Sequence, residues 1–154
     1  MNRRNFLKNS LMTAATVTTF AGLMIKPKRL YAAWPKVSFN ITDLNDSINS
    51  VYGHNNLNES SDVILKAPDI AENGAIVPLN VKTTLKNVES IMIFVENNPQ
   101  PLSSGYNLSS KSVPTVGTRI KMGNTSKVIA AVKSDGKIYT ASKEVKVTIG
   151  GCGG

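Results

Sequence analysis

The chain has 154 residues, 41% of them hydrophobic, with one cysteine, one histidine and a formal net charge of +8. A chain of this size holds one domain beside a processed leader and buries an adequate core without staples. One cysteine excludes any disulfide within the chain, and one histidine excludes a blue-copper centre, which takes two histidines and a cysteine.

The basic charge sits at one end. Residues 1–33 hold Arg3, Arg4, Lys8, Lys26, Lys28 and Arg29 and no acid, so six of the 18 bases lie there and 12 remain against 10 interspersed acids. A nucleic-acid binder would show a basic stripe, and the remainder shows none. Arg3-Arg4-Asn5-Phe6-Leu7-Lys8 precedes a moderately apolar stretch from Leu11 to Ile25. Arg3, Arg4, Phe6, Leu7 and Lys8 match the twin-arginine export motif, with Asn2 where Ser or Thr is common. Thr13, Thr16, Thr18 and Thr19 thin the stretch, which is shorter than the ~20 apolar residues of a membrane-spanning helix, so no stable span is expected. Ala32 and Ala33 supply small residues for cleavage, although Leu30 or Tyr31 fits the −3 position poorly. The expected organisation is a cleaved signal over 1–33, a domain over 34–149 and a tail over 150–154, in the periplasm. Twin-arginine export takes proteins already folded in the cytoplasm; with no cofactor site in view, a partner subunit is the expected reason for that route.

After the leader, Ile41, Leu44, Ile48 and Val51 recur at helical spacing, with Asn40 or Thr42 as N-cap and Gly53 as a stop, which predicts one short amphipathic helix. From Val63 onward, short apolar runs alternate with turn residues about every 10 positions, the cadence of an antiparallel β-sandwich. Ile76 to Val81 alternates but contains Pro78, which cannot donate to a ladder and predicts an edge or a bulge. Ile91 to Val95 and Val128 to Val132 are apolar throughout, so each needs cover on both faces, from the second sheet, the helix or a partner subunit. That apolar excess points to a heterodimer. Asp135-Gly136, between Val128–Val132 and Ile138–Ala141, predicts a hairpin with a type I′ turn. In the last run Val145, Val147 and Ile149 face one way and Lys146 and Thr148 the other, a half-buried strand.

That strand leads into Gly150-Gly151-Cys152-Gly153-Gly154. Glycine populates both signs of φ and has no side chain to pack, so a thin, flexible arm is expected, carrying the cysteine on the order of 10 Å beyond Ile149 at roughly 3.3–3.6 Å per residue. Cys152 has no neighbouring lysine or helix N-terminus to activate it, so activation has to come from an enzyme that receives the arm. Self-contained cysteine catalysis would need a histidine fixed by the fold. His54 lies in a surface turn and takes no role; Glu72 and Glu96 are read as solvated, and no metal-ligand spacing or phosphate loop occurs.

The terminal Val145-Lys146-Val147-Thr148-Ile149-Gly150-Gly151-Cys152-Gly153-Gly154 resembles the SoxY sulfur carrier subunit of the thiosulfate-oxidising system. Supporting similarity lies at Glu72-Asn73-Gly74, Val77-Pro78, Glu96-Asn97-Asn98-Pro99-Gln100-Pro101 and Thr118-Arg119-Ile120. The resemblance implies a mainly β, immunoglobulin-like sandwich preceded by a helix, paired with a SoxZ-type subunit. It also implies a carrier, not an enzyme, with Cys152 as the covalent attachment point for sulfur intermediates and no other cofactor. A c-type haem enzyme would join thiosulfate to the cysteine as an S-thiosulfonate, and a dimanganese hydrolase would release sulfate. The remaining persulfide sulfur would go to a molybdenum–haem sulfur dehydrogenase or elsewhere. Two other readings stand beside it. A periplasmic adaptor would use the thiol for an intermolecular disulfide. A ubiquitin-like sulfur donor would activate its terminal glycines, but that chemistry requires ATP and export removes the chain from it.

Overall fold

A computed structural model describes residues 37–148. The export motif, Ala32 and Ala33 lie outside the described residues. A 3₁₀ turn, Ser38–Asn40, precedes helix α1, Leu44–Tyr52, and nine strands follow: β1 Leu57–Glu59, β2 Val63–Lys66, β3 Ile70–Ala71, β4 Val77–Thr83, β5 Val88–Val95, β6 Leu102–Asn107, β7 Thr115–Ile120, β8 Ser126–Ser134 and β9 Lys137–Val147. One sheet runs β1-β9-β8-β5-β6, with β3 also on β9; the other runs β2-β4-β7. The β-sandwich is antiparallel except where β1 and β3 pair in parallel with one edge of β9.

α1 begins one residue later than the expected caps allow. Asp43, not Asn40 or Thr42, is the N-cap: its Oδ1 accepts from the Asp46 amide at 2.9 Å. A carboxylate there satisfies a free amide and also favours the positive end of the helix dipole. Gly53 ends the helix with φ 79°, its N–H donating to the Asn49 carbonyl at 2.7 Å.

The two apolar runs split by alternation. Ile91, Ile93 and Val95 of β5 and Val128, Ala130 and Val132 of β8 enter the core between the sheets. Met92 and Phe94, with Ile129 and Ala131, face the other way and pack with Ile48 of α1. Each large side chain so buried contributes about 1.5–3 kcal/mol. Tyr52 joins this second cluster and donates its hydroxyl to the Ala131 carbonyl at 3.0 Å, and burial raises its pKa well above that of an ordinary tyrosine. Both faces of these two runs are therefore covered within the chain, by the second sheet and by α1.

Two strand expectations change in detail. β4 is the middle strand of its sheet, not an edge, yet Pro78 is accommodated because β2 stops at the pair Lys66↔Asn80 and only β7 faces Pro78, through Arg119. The runs Ile138–Ala141 and Val145–Val147 are one strand of 11 residues, because β8 pairs with it without a break from Ser134↔Lys137 to Ser126↔Val145. Lys143 and Glu144 interrupt the apolar pattern but not the ladder. At the hairpin, Asp135 and Gly136 have φ 48° and 73°, the positive pair a type I′ turn needs.

Candidate functional site

Cys152 and the arm residues Gly150, Gly151, Gly153 and Gly154 lie outside the described residues, as does Ile149. What is described is the end of β9 from which that segment departs. Val145 is fully buried, Lys146 exposed, Val147 half-buried and Thr148 exposed, which is the expected alternation over these four residues.

The last residues of β9 are held on both edges. On one side Lys146 N–H donates to Asp69 O at 3.0 Å and Thr148 N–H to Ala71 O at 3.1 Å, the parallel ladder with β3. On the other side β8 has ended, and Thr125 replaces it: its Oγ1 accepts from the Val147 amide at 3.0 Å. Upstream, Lys143 Nζ donates to Ala67 O at 2.6 Å and pairs with Asp69 at 2.9 Å. The Lys143 ammonium, by hydrogen bond and charge, holds the Asp69 carboxyl below its ordinary pKa.

Further hydrogen bonds fix the loop that carries Thr125. Asn98 Nδ2 donates to Lys121 O at 2.7 Å while its Oδ1 accepts from Gly123 N–H at 3.1 Å, so one side chain spans the turn. Asn97 Nδ2 donates to Thr125 O at 3.2 Å, and its own amide donates to Ser126 Oγ at 2.9 Å. Met122, itself buried, donates its N–H to Gly74 O at 2.7 Å. Gly74 has no room for a side chain: a Cβ there would run into the Met122 carbonyl oxygen and sit 2.8 Å from Val147 Cγ1. Asn73 shapes that turn, its Oδ1 accepting from the Ala75 amide at 2.9 Å.

The structure thus brings together sequence segments far apart in the chain. Asn73-Gly74 and Asn97-Asn98 both converge on the end of β9, and Arg119-Ile120 leads into the same loop. Glu72 and Glu96 are exposed there. His54 is elsewhere, half-buried beside β1, with its Nδ1 accepting from the Asn56 amide at 3.3 Å. It lines an open groove of about 740 Å³ with Lys137 and Tyr139. Sequence reasoning missed Thr125 and the Lys143–Asp69 pair. Neither carries a motif; the only cue to Thr125 was its place just before an apolar strand. Among the described residues no group of three or more His, Cys, Asp or Glu could hold a metal ion, and no helix is long and apolar enough to cross a membrane.

The profile of the family described as "Sulfur oxidation protein SoxY" matches residues 48–152. Among solved structures, the sulfur carrier protein SoxY from Chlorobium limicola f thiosulfatophilum is 37% identical, over 70% of this chain and 97% of that one, with a TM-score of 0.63. A lytic polysaccharide monooxygenase from Jonesia denitrificans is 12% identical over 60% of this chain and 58% of that one, with a TM-score of 0.39, too low to bear on function. No curated protein matches the chain.

Proposed function

This chain belongs to the SoxY family of sulfur oxidation proteins, and on that premise we propose that it carries sulfur intermediates covalently on Cys152 and presents them to successive enzymes. The observation that carries the reading is that the family match extends through Cys152, the sole cysteine, five positions after Val147 at the clamped end of β9. A rigid root with a glycine tether lets one thiol enter several active sites while the domain stays outside. Tethering also raises the intermediate's effective concentration at the next enzyme.

The chemistry balances as two steps. Cys152–SH and thiosulfate give the cysteine S-thiosulfonate, one proton and two electrons, which pass to the haem of the conjugating enzyme. Water then cleaves the terminal sulfur–sulfonate bond at the dimanganese hydrolase, releasing sulfate and a proton and leaving a Cys152 persulfide. A molybdenum–haem sulfur dehydrogenase is the candidate for oxidising that sulfur. The protein itself supplies attachment and positioning, not catalysis. Pairing with a SoxZ-type subunit, twin-arginine export through Arg3 and Arg4, and work in the periplasm belong to the same proposal.

Intact-mass measurement of the mature protein with its co-purified subunit, before and after reductant, tests it. Sulfur adducts that map to 149–154, leave on reduction and fail to form in Cys152→Ser are expected. A thiol that stays bare after incubation with thiosulfate and the conjugating enzyme, or one locked to another protein, would favour the disulfide adaptor instead.

A further inference from the structure

The outer faces of the two sheets differ in what covers them. α1 closes that of the larger sheet through Ile48, whereas no described element packs over the outer face of β2-β4-β7. Three cross-strand rows make this face: Ile64 beside Lys82, Asn80 between Lys66 and Gly117, and Pro78 beside Arg119. Lys66, Pro78, Lys82 and Arg119 are exposed. The three strands contain no Asp or Glu, and the only two ion pairs among the described residues, Lys133–Glu89 and Lys143–Asp69, lie elsewhere. The nearest carboxylate in sequence, Asp62, is tied down at the rim, accepting from Thr84 Oγ1 at 2.8 Å. At the centre of the face the Asn80 side-chain oxygen is buried without a hydrogen-bond partner.

We propose that this face is where the carrier meets a carboxylate-bearing surface on the enzymes that process its sulfur; the proposal rests on the carrier reading above. Charge decides the occupant. A second copy would bring three cations against three cations, which is repulsive in a two-fold contact. A permanent subunit would need a contiguous apolar core; within its three strands the face offers only Ile64, 42% exposed, and Pro78, and the exposed Ile76 and Val113 lie at opposite ends of it. A cationic surface with few apolar side chains suits instead a short-lived encounter steered by charge, which speeds association on the order of 10–10³-fold at low salt. Position agrees with this. The β4–β7 ladder ends at Val77↔Ile120, and the chain beyond it forms the Gly74–Met122 contact beside Val147, so the Arg119 end of the face adjoins the root of the arm.

The test uses the mature protein with its partner subunit and the sulfate-releasing hydrolase of the same organism. Sulfate release from thiosulfonate-loaded carrier is followed from about 20 to 300 mM NaCl, a range over which the Debye length shortens to less than half. For the wild type kcat/KM should fall with salt. For the triple variant Lys66→Glu, Lys82→Glu, Arg119→Glu it should start at least tenfold lower and barely respond to salt, with kcat at saturating carrier unchanged. Equal kcat/KM at low salt, or loss of the partner subunit from the variant, overturns the proposal. Carbodiimide coupling of the wild-type carrier to the hydrolase checks it without substitutions: links should form through Lys66 and Lys82, and links confined to other lysines overturn it. A Cys152→Ser protein that still accepts the thiosulfonate load would instead overturn the carrier reading itself.

Discussion

Gly74→Ala should weaken the domain at the root of the arm, and the structure sets the size of the effect. Gly74 does not have positive φ, so the backbone does not require glycine there; the space does. The new methyl would overlap the Met122 carbonyl oxygen and lie 2.8 Å from Val147 Cγ1. The carbonyl belongs to a backbone that is itself tied to Gly74 through the 2.7 Å Met122 N–H bond, so relief means moving the Gly74 turn and the Met122 loop apart. Overpacking of this kind costs about 1–3 kcal/mol, and weakening the bond adds up to about 1. Against this, alanine restricts the unfolded chain and returns about 0.4–1 kcal/mol. Taking the middle of each range, the net loss is about 2 kcal/mol, or roughly 8 °C in Tm at about 4 °C per kcal/mol. Gly123→Ala is the matched control: nothing lies within 4 Å of its added Cβ, so it should stay within about 0.5 kcal/mol of wild type. Urea and thermal unfolding measure both variants. A Gly74→Ala protein as stable as wild type, or a Gly123→Ala protein equally weakened, would refute the packing argument.

Phe94→Ala should cost about 3–5 kcal/mol in urea unfolding, because Phe94 is fully buried between the larger sheet and α1; a loss under 1 would mean the helix does not seal that face. Thr125→Val should remove the acceptor for the Val147 amide, costing about 0.5–1.5 kcal/mol and speeding hydrogen exchange at Val147 more than at Val145; equal rates in both proteins would show that Thr125 does not cap the strand. Lysine partners hold Asp69 and Glu89 below their ordinary pKa values, chiefly through hydrogen bonds from Lys143 and Lys133. Their contribution is therefore present above the unfolded pKa, about 4, and is lost as pH falls through the folded values. Lys143→Met should flatten the acid limb of the stability profile, and a limb parallel to wild type would contradict the Asp69 pairing. Gly150→Val with Gly151→Val should leave Tm nearly unchanged and lower kcat/KM with the downstream enzymes; unchanged rates with every enzyme would remove the case for a thin arm.

The fold was legible wherever one local rule acted alone. Asp135-Gly136 demanded its turn, Gly53 ended its helix, and the alternation from Val145 to Thr148 matched the burial of β9. Reading failed where a distant partner decided the outcome. Pro78 on a central strand is intelligible only once β2 is seen to stop short, and Lys143-Glu144 stayed within a strand because nine residues of β8 paired across them. The apolar runs were read correctly as two-faced, but only the folded chain shows that α1 and the second sheet supply both covers.

The arm's root was legible in its residues but not in their connections. Resemblance singled out Asn73-Gly74 and Asn97-Asn98 without giving them a task; the structure gives each one. Asn98 spans the turn from Lys121 to Gly123, Asn97 holds Thr125, Thr125 caps Val147, and Gly74 clears space beside it. None of these side chains is suited to sulfur chemistry, which is the division of labour a carrier needs. A tether is useful only if its origin is fixed, because motion at the root would spread the thiol over a larger volume and dilute it at each active site. The amides and carbonyls around Val147 fix that origin, as the role proposed for Cys152 requires.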